Sequence, residues 1–296
     1  TLSNYYIYNI INSHDIINNL LEHKNINNED FLKLYNTMNF TNENRDIFKI
    51  KKRSIERIQG IIKTKHTNLF VSLYFTNFFH IVNTINKLSQ YICGIFINSE
   101  IIENYSQEKA QLLKKLSKEQ NIIVVNNVQF TLSNKLVNNP ILNNYFKYYD
   151  IVTLKIHVAE EIEMFNEFSL DLLKSIHDNY GSFIFIMKGG GYNNHFINQK
   201  IFDLCSKYEN IISGIIVNKR EYYMRNDNYL YLTDNIEALE KTPQVSILND
   251  KCDLIVYGVS EFKNLTKEYL DNLLVNVKYY HSVSWAPFKK INQLEN

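Results

Sequence analysis

Three short polar stretches hold the residue types from which a binding or reactive site is built. Lys188-Gly189-Gly190-Gly191 sets a cation beside backbone amides that no side chain shields, a composition able to cradle phosphate, and His195 just beyond it adds an acid–base group. The order is neither a P-loop nor G-x-G-x-x-G, and a strand-to-helix turn with an exposed histidine is the plainer account. His157 precedes Glu160, Glu161 and Glu163, so an imidazole and carboxylates could share a metal or pass a proton. The same glutamates also suit the positive end of a helix. Asn218-Lys219-Arg220-Glu221 could grip a carboxylate or a peptide backbone, or form a solvated turn. Cys93, Cys205 and Cys252 stand too far apart to chelate and are odd in number for a disulfide frame. Cys93 falls within a strand and Cys205 on the apolar side of a helix at 197–208, so both read as small buried hydrophobes.

The elements that must position these groups repeat. Short runs rich in β-branched and aromatic residues, each followed by a helix-patterned stretch, occur at 69–75, 91–97, 122–126, 150–158, 182–187 and 211–217. Parallel strands need crossovers of about a dozen residues or more, so this rhythm predicts βα units with ligands at the carboxyl ends of the strands. Ser106 caps a helix to 119, and a longer helix at 160–179 closes at Gly181. Ahead of the units, 5–11 reads as a strand, and 15–23 and 45–62 as helices, forming a small α/β cap. After them the rhythm breaks. The pairs 221–224 with 229–232 and 244–248 with 253–257 flank polar turns and read as hairpins, followed by a helix at 266–275. Trp285 and Phe288, with Tyr279 and Tyr280, suit either an interface or the core of the last segment.

Across 296 residues, 32 Lys and Arg nearly cancel 31 Asp and Glu. That balance gives no basic stripe for nucleic acid. No apolar run reaches the ~18 residues of a membrane span, and no signal peptide is evident, so a cytoplasmic protein is the default expectation. The abundance of Asn, Ile, Lys and Tyr reflects AT-rich codons, which makes the Asn pairs poor site markers.

The segment Thr67-Asn68-Leu69-Phe70-Val71-Ser72-Leu73-Tyr74-Phe75 resembles the cluster-binding segment of radical SAM enzymes, C-N-L-x-C-x-x-C-aromatic, with Thr67, Val71 and Tyr74 in the cysteine positions. Gly94-Ile95-Phe96-Ile97-Asn98-Ser99-Glu100-Ile101 is similar to the second strand and G-G-E-P motif of that family, which touches the amino group of S-adenosylmethionine. Val124-Val125-Asn126-Asn127 resembles the third strand and its T-N-G ending, and the stretch 150–166 the fourth strand and helix. Val245 to Asp250, Leu254 to Gly258 and Asn264-Leu265-Thr266 look like the SPASM extension of peptide-modifying members.

The resemblance implies a partial (β/α)6 TIM-like barrel at 67–220, a recognition cap at 1–66 and a SPASM-like hairpin and helix extension at 221–296. A four-iron cluster needs thiolates. Thr67, Val71 and Tyr74 offer none, so the expectation is a pseudoenzyme with no cofactor and no metal. It would act as an accessory in the maturation of ribosomally made peptides, binding a precursor peptide and/or an intact radical SAM enzyme, with a leader strand added at an edge such as 5–11. Glu100, Asn126 and His157 are the ligand contacts expected beside the polar stretches. Methyl transfer from S-adenosylmethionine is disfavoured because Asn98 and Ser99 replace the glycines that allow close approach. The alternative is a cluster-free barrel enzyme acting on a small phosphorylated or carboxylated substrate through Lys188, Gly189, Gly190, His195 and Lys219. A closed eight-stranded barrel with those groups converging on one pocket favours that alternative; an open six-stranded sheet with an apolar groove favours the peptide binder.

Overall fold

A computed structural model describes residues 47–130, 145–155, 167–186, 194–216, 228–233, 252–260 and 266–292. The chain divides into two compact units, Thr1–Arg45 and Asp46–Asn296. The first lies outside the described residues, and with it the expected elements at 5–11 and 15–23.

The second unit is a closed barrel of eight strands in sequence order, every neighbouring pair parallel. The strands are β1 (Leu69–Tyr74), β2 (Gly94–Ile97), β3 (Ile123–Phe130), β4 (Ile151–Lys155), β5 (Ser182–Ile186), β6 (Ile212–Ile216), β7 (Leu230–Thr233) and β8 (Leu254–Ser260). Their sequences are nearly continuous apolar runs because both faces are covered, one by the lumen and one by helices. Closure comes from β1 against β8, paired from Leu69↔Ile255 to Tyr74↔Ser260.

Two expectations are corrected here. The barrel is not partial, and no SPASM-like extension follows it: the stretches 229–232 and 253–257, read as hairpin arms, belong to β7 and β8, parallel staves of the barrel. The other arms, 221–224 and 244–248, lie outside the described residues.

The outer layer comprises α1 (Arg53–Lys65), α2 (Phe78–Leu88), α3 (Gln107–Glu119), α4 (Leu170–Asp178), α5 (Asn194–Lys207) and α6 (Lys267–Ile291) among the described residues. Side-chain oxygens start four of them: Asn77 accepts from the Phe79 amide at 2.9 Å, Ser106 from Lys109 at 3.4 Å, Ser169 from Leu172 at 3.3 Å and Thr266 from Tyr269 at 3.1 Å. Each cap satisfies an amide that the first helical turn leaves without a partner. Ile81, Ile85 and Leu88 on α2 and Leu113 and Leu116 on α3 then pack on Val71, Leu73, Ile95, Ile97 and Val124, the outward side chains of β1 to β3.

Helix α1 has a different task. Ile55, Ile58, Ile61 and Ile62 share a cluster with the inward Phe70, Ile123, Ile151, Leu230 and Leu254, so α1 lies across the amino-terminal mouth as a plug. Its far end is stitched down by Lys65, whose ammonium donates to the carbonyls of Ser89 and Gln120, each at 2.7 Å. Gly94 makes room for the floor: a Cβ there would stand 2.4 Å from Phe70 Cε1 and 2.5 Å from the Ile123 carbonyl. The Phe70 ring uses that space and meets Phe96 edge-on at 5.7 Å. No helix among the described residues is long and apolar enough to cross a membrane.

Candidate functional site

Inward positions alternate along each strand. On the amino-terminal half they are apolar: Phe70, Phe96, Ile123, Val125, Ile151, Ile184, Leu230 and Leu254. Toward the carboxyl ends the inward faces of three strands turn polar, through Ser72 and Tyr74 on β1, Asn127 on β3, and Thr153 and Lys155 on β4, while β5 to β8 keep Ile186, Ile216, Leu232 and Val256 in the apolar cluster. Thr153 is fully buried and donates to Asn127 Oδ1 at 3.0 Å, which fixes the amide and leaves its nitrogen as a donor. Gly258 stands in register with Ser72. Among the described residues a Cβ at Gly258 would meet only Tyr74 Cε2, at 3.8 Å, so they leave space beside this glycine. Tyr74 is 50% exposed. The carboxyl-terminal mouth is thus a polar basin above an apolar floor, the end at which parallel barrels hold ligands.

The positions matched to the three cluster cysteines do not converge. Thr67 is buried ahead of β1, its hydroxyl donating to the Tyr91 carbonyl at 2.8 Å and accepting from the Leu69 amide at 3.2 Å. Val71 faces outward among α2 and α6 residues. Tyr74 faces inward at the opposite end of the strand. At ~3.3 Å per residue, Thr67 and Tyr74 are roughly 23 Å apart, so no spacing of thiols there could bind one cluster.

Asn126 points to the outer side of the sheet. It is fully buried, accepts from the Ser99 amide at 3.1 Å and donates to Ser99 Oγ at 2.9 Å, which ties the segment after β2 to β3. Tyr149 donates to Tyr105 at 2.8 Å behind the same segment. Burial raises all three neighbouring phenols, Tyr105 to about 12 and Tyr145 and Tyr149 also upward, so they stay protonated and serve packing. Glu100 is exposed on the rim, its amide held by Asn98 Oδ1 at 2.9 Å.

His157, Lys188, Gly189, Gly190, Asn218 and Lys219 lie outside the described residues, as do Glu160, Glu161 and Glu163. In the sequence they follow β4, β5 and β6. His195 falls in the first turn of α5, with its backbone alone described. The three cysteines are buried, and none forms a disulfide among the described residues. Cys93 donates to the Thr67 carbonyl at 2.7 Å, and burial pushes the Cys93 and Cys205 thiols upward. Among the described residues no group of three or more His, Cys, Asp and Glu could hold a metal.

The inward polar positions Ser72, Asn127, Thr153 and Lys155 had gone unnoticed as a set. Their signal was present in the change from apolar to polar at i, i+2 positions along β1, β3 and β4.

No protein-family model matches the chain, and no curated protein matches it. Solved structures do. An orotidine 5'-monophosphate decarboxylase from Methanocaldococcus jannaschii, complexed with the inhibitor BMP, aligns at a TM-score of 0.53 and 11% identity, covering 73% of this chain and 98% of that one. A putative orotidine 5'-phosphate decarboxylase from Streptomyces avermitilis aligns at 0.54 and 8%, covering 80% and 96%. At such identities the likeness establishes the fold, a closed TIM-type barrel. It overturns the radical SAM and SPASM reading, and with it the accessory role in peptide maturation: the closed parallel barrel has decarboxylase-like neighbours.

Proposed function

We propose that this chain is a cluster-free barrel enzyme that acts on a small phosphorylated or carboxylated substrate at the carboxyl-terminal mouth. One observation carries the reading: eight parallel strands close completely, and the inward faces of β1, β3 and β4 change from apolar to hydrogen-bonding at the end where barrel ligands sit. Fold neighbours named for the decarboxylation of a nucleoside monophosphate support the substrate class by analogy.

The roles follow from chemistry. Lys188 and the glycine amides lie between the end of β5 and the start of α5. A strand-to-helix junction there offers backbone donors and the positive helix pole to a phosphate. His195 opens that helix and is the acid–base candidate; Lys219, after β6, is the partner for a carboxylate. Ser72, Asn127, Thr153 and Lys155 orient the remainder of the substrate from the basin.

The test is a thermal-shift titration of the whole chain against sugar phosphates and nucleoside monophosphates with and without a carboxylate, orotidine 5'-monophosphate included. Members that bind are then followed by chromatography for turnover. The reading expects saturable stabilisation that Lys188→Ala and Asn127→Ala each weaken at least tenfold. It fails if no compound shifts the transition at millimolar concentration, or if binding compounds are never consumed.

A further inference from the structure

The opposite end of the barrel carries a second cleft. It has a volume of about 700 Å³ and lies between α1, α3, the carboxyl end of α4 and the starts of β3 and β4. Five cationic side chains line it, Arg53, Arg57, Lys114, Lys118 and Lys147, against three carboxylates, Glu56, Asp150 and Asp178.

The charges are not evenly paired. Asp150, 10% exposed, takes both Arg57 at 2.5 Å and Lys114 at 2.7 Å. Its other oxygen accepts from the Val124 amide at 2.8 Å. Arg57 also donates to the Ile122 carbonyl at 2.9 Å, so these two cations are fixed to the barrel rim. Among the described residues Lys118 and Lys147 have no salt-bridge partner. Arg53 is held with its guanidinium 3.5 Å over the Tyr180 ring, and Tyr180 keeps a left-handed backbone, φ 55°, that a bulky residue rarely adopts. Ser54 lines the same wall with a buried hydroxyl lacking a partner among the described residues. The N-cap position of α1, Lys52, supplies no side-chain acceptor for the first-turn amides.

Fixed positive charge and spare lysines from two further elements define an anion site. Its volume falls in the range of small-ligand pockets, roughly 300–1,000 Å³. Cations arriving from α1, α3 and the segment before β4 match several adjacent phosphates better than one. We infer that this amino-terminal cleft binds a small polyphosphate-bearing ligand at a site separate from the carboxyl-terminal basin.

The probe is inorganic triphosphate, titrated calorimetrically into the whole chain at low and physiological salt. Expected is saturable binding that weakens with salt and falls at least tenfold in the Lys118→Ala, Lys147→Ala double variant. Both positions are exposed, so the variant should fold, which circular dichroism verifies. Asn127→Ala, at the other mouth, should leave the affinity unchanged, so failure of this site and failure of the enzyme reading are distinguishable. No saturable binding at millimolar triphosphate overturns the inference. So does unchanged affinity in the double variant, loss in Asn127→Ala, or binding of an RNA oligomer that triphosphate does not displace.

Discussion

Asp150→Asn tests the amino-terminal rim with two readouts of opposite sign. The carboxylate holds three donors: Arg57 and Lys114 on one oxygen and the Val124 amide on the other. Asparagine keeps the shape but has one acceptor, so its NH₂ must face either the two cations or the strand amide. One set of donors is left unsatisfied in a part-buried site, which costs about 1–3 kcal/mol. Loss of the charge adds to this, although Arg57, 36% exposed, recovers part of its solvation. The sum is roughly 2–3 kcal/mol, well below the full cost of stripping a buried pair. For a domain of this size that lowers Tm by about 4–10 °C. Equilibrium denaturation in urea with fluorescence detection measures the loss. The same substitution frees Arg57 and Lys114 from their counter-charge, so triphosphate affinity should rise severalfold while stability falls. A loss below about 0.5 kcal/mol, or unchanged affinity in a folded variant, refutes the assignment of Asp150 as the electrostatic keystone of this rim.

Lys52 supplies a pH test. Burial lowers its ammonium to about 8, against the Glu209 carboxylate at 3.7 Å that favours the charge, and its Nζ lies over the Tyr229 ring at 3.8 Å. Because the folded value is below 10.5, the unfolded chain binds more protons between pH 8 and 10.5, and stability gains from Lys52 as pH rises through that window. Lys52→Met should therefore stabilise the protein most below pH 8, by up to roughly 3 kcal/mol, with the gain vanishing near pH 10.5; melts across this range check it, and a destabilised variant at pH 7 contradicts it. Gly94→Ala should cost about 3 kcal/mol, since the new methyl meets the Ile123 carbonyl as well as a ring; a near-native urea midpoint would deny the packing of Phe70 over that glycine. Asn126→Ala and Asn127→Ala should separate cleanly. The first loses both bonds to Ser99 and about 1–3 kcal/mol of stability, whereas the second weakens ligand binding at the basin with little change in melting.

The strands were legible where local pattern was enough. Expected runs at 69–75, 182–187 and 211–217 correspond to β1, β5 and β6 within a residue or so at each end, because a buried parallel strand writes itself as a short apolar block. β7 and β8 write the same kind of block. They were assigned to hairpins because Arg225-Asn226-Asp227-Asn228 and Asn249-Asp250-Lys251-Cys252 satisfy the composition of a tight turn. The deciding interaction is the pairing of β1 with β8, between residues more than 180 positions apart, and no local signal reports a contact of that range.

The site failed to read for a related reason. The motif sets Thr67, Val71 and Tyr74 at the positions of cysteines that bind one cluster, but a strand has period 2. Val71 therefore shares a side with Leu69 and Leu73, while Tyr74 shares the lumen with Phe70 and Ser72, and Thr67 lies ahead of the strand. That parity on β1, β3 and β4 marks the basin, since their lumen sets run Phe70-Ser72-Tyr74, Val125-Asn127 and Ile151-Thr153-Lys155. The cleft at the other mouth is beyond such parity. Lys114 and Lys118 lie at i, i+4 on one helix and Arg53 and Arg57 at i, i+4 on another, which the sequence shows as two ordinary charged faces. Only the route of α1 beneath the barrel brings one member of each pair, Arg57 and Lys114, to one carboxylate and the other two to the same cleft. The charge that appears balanced over the whole chain is therefore locally unbalanced, and a polyphosphate test can detect that imbalance where net charge cannot.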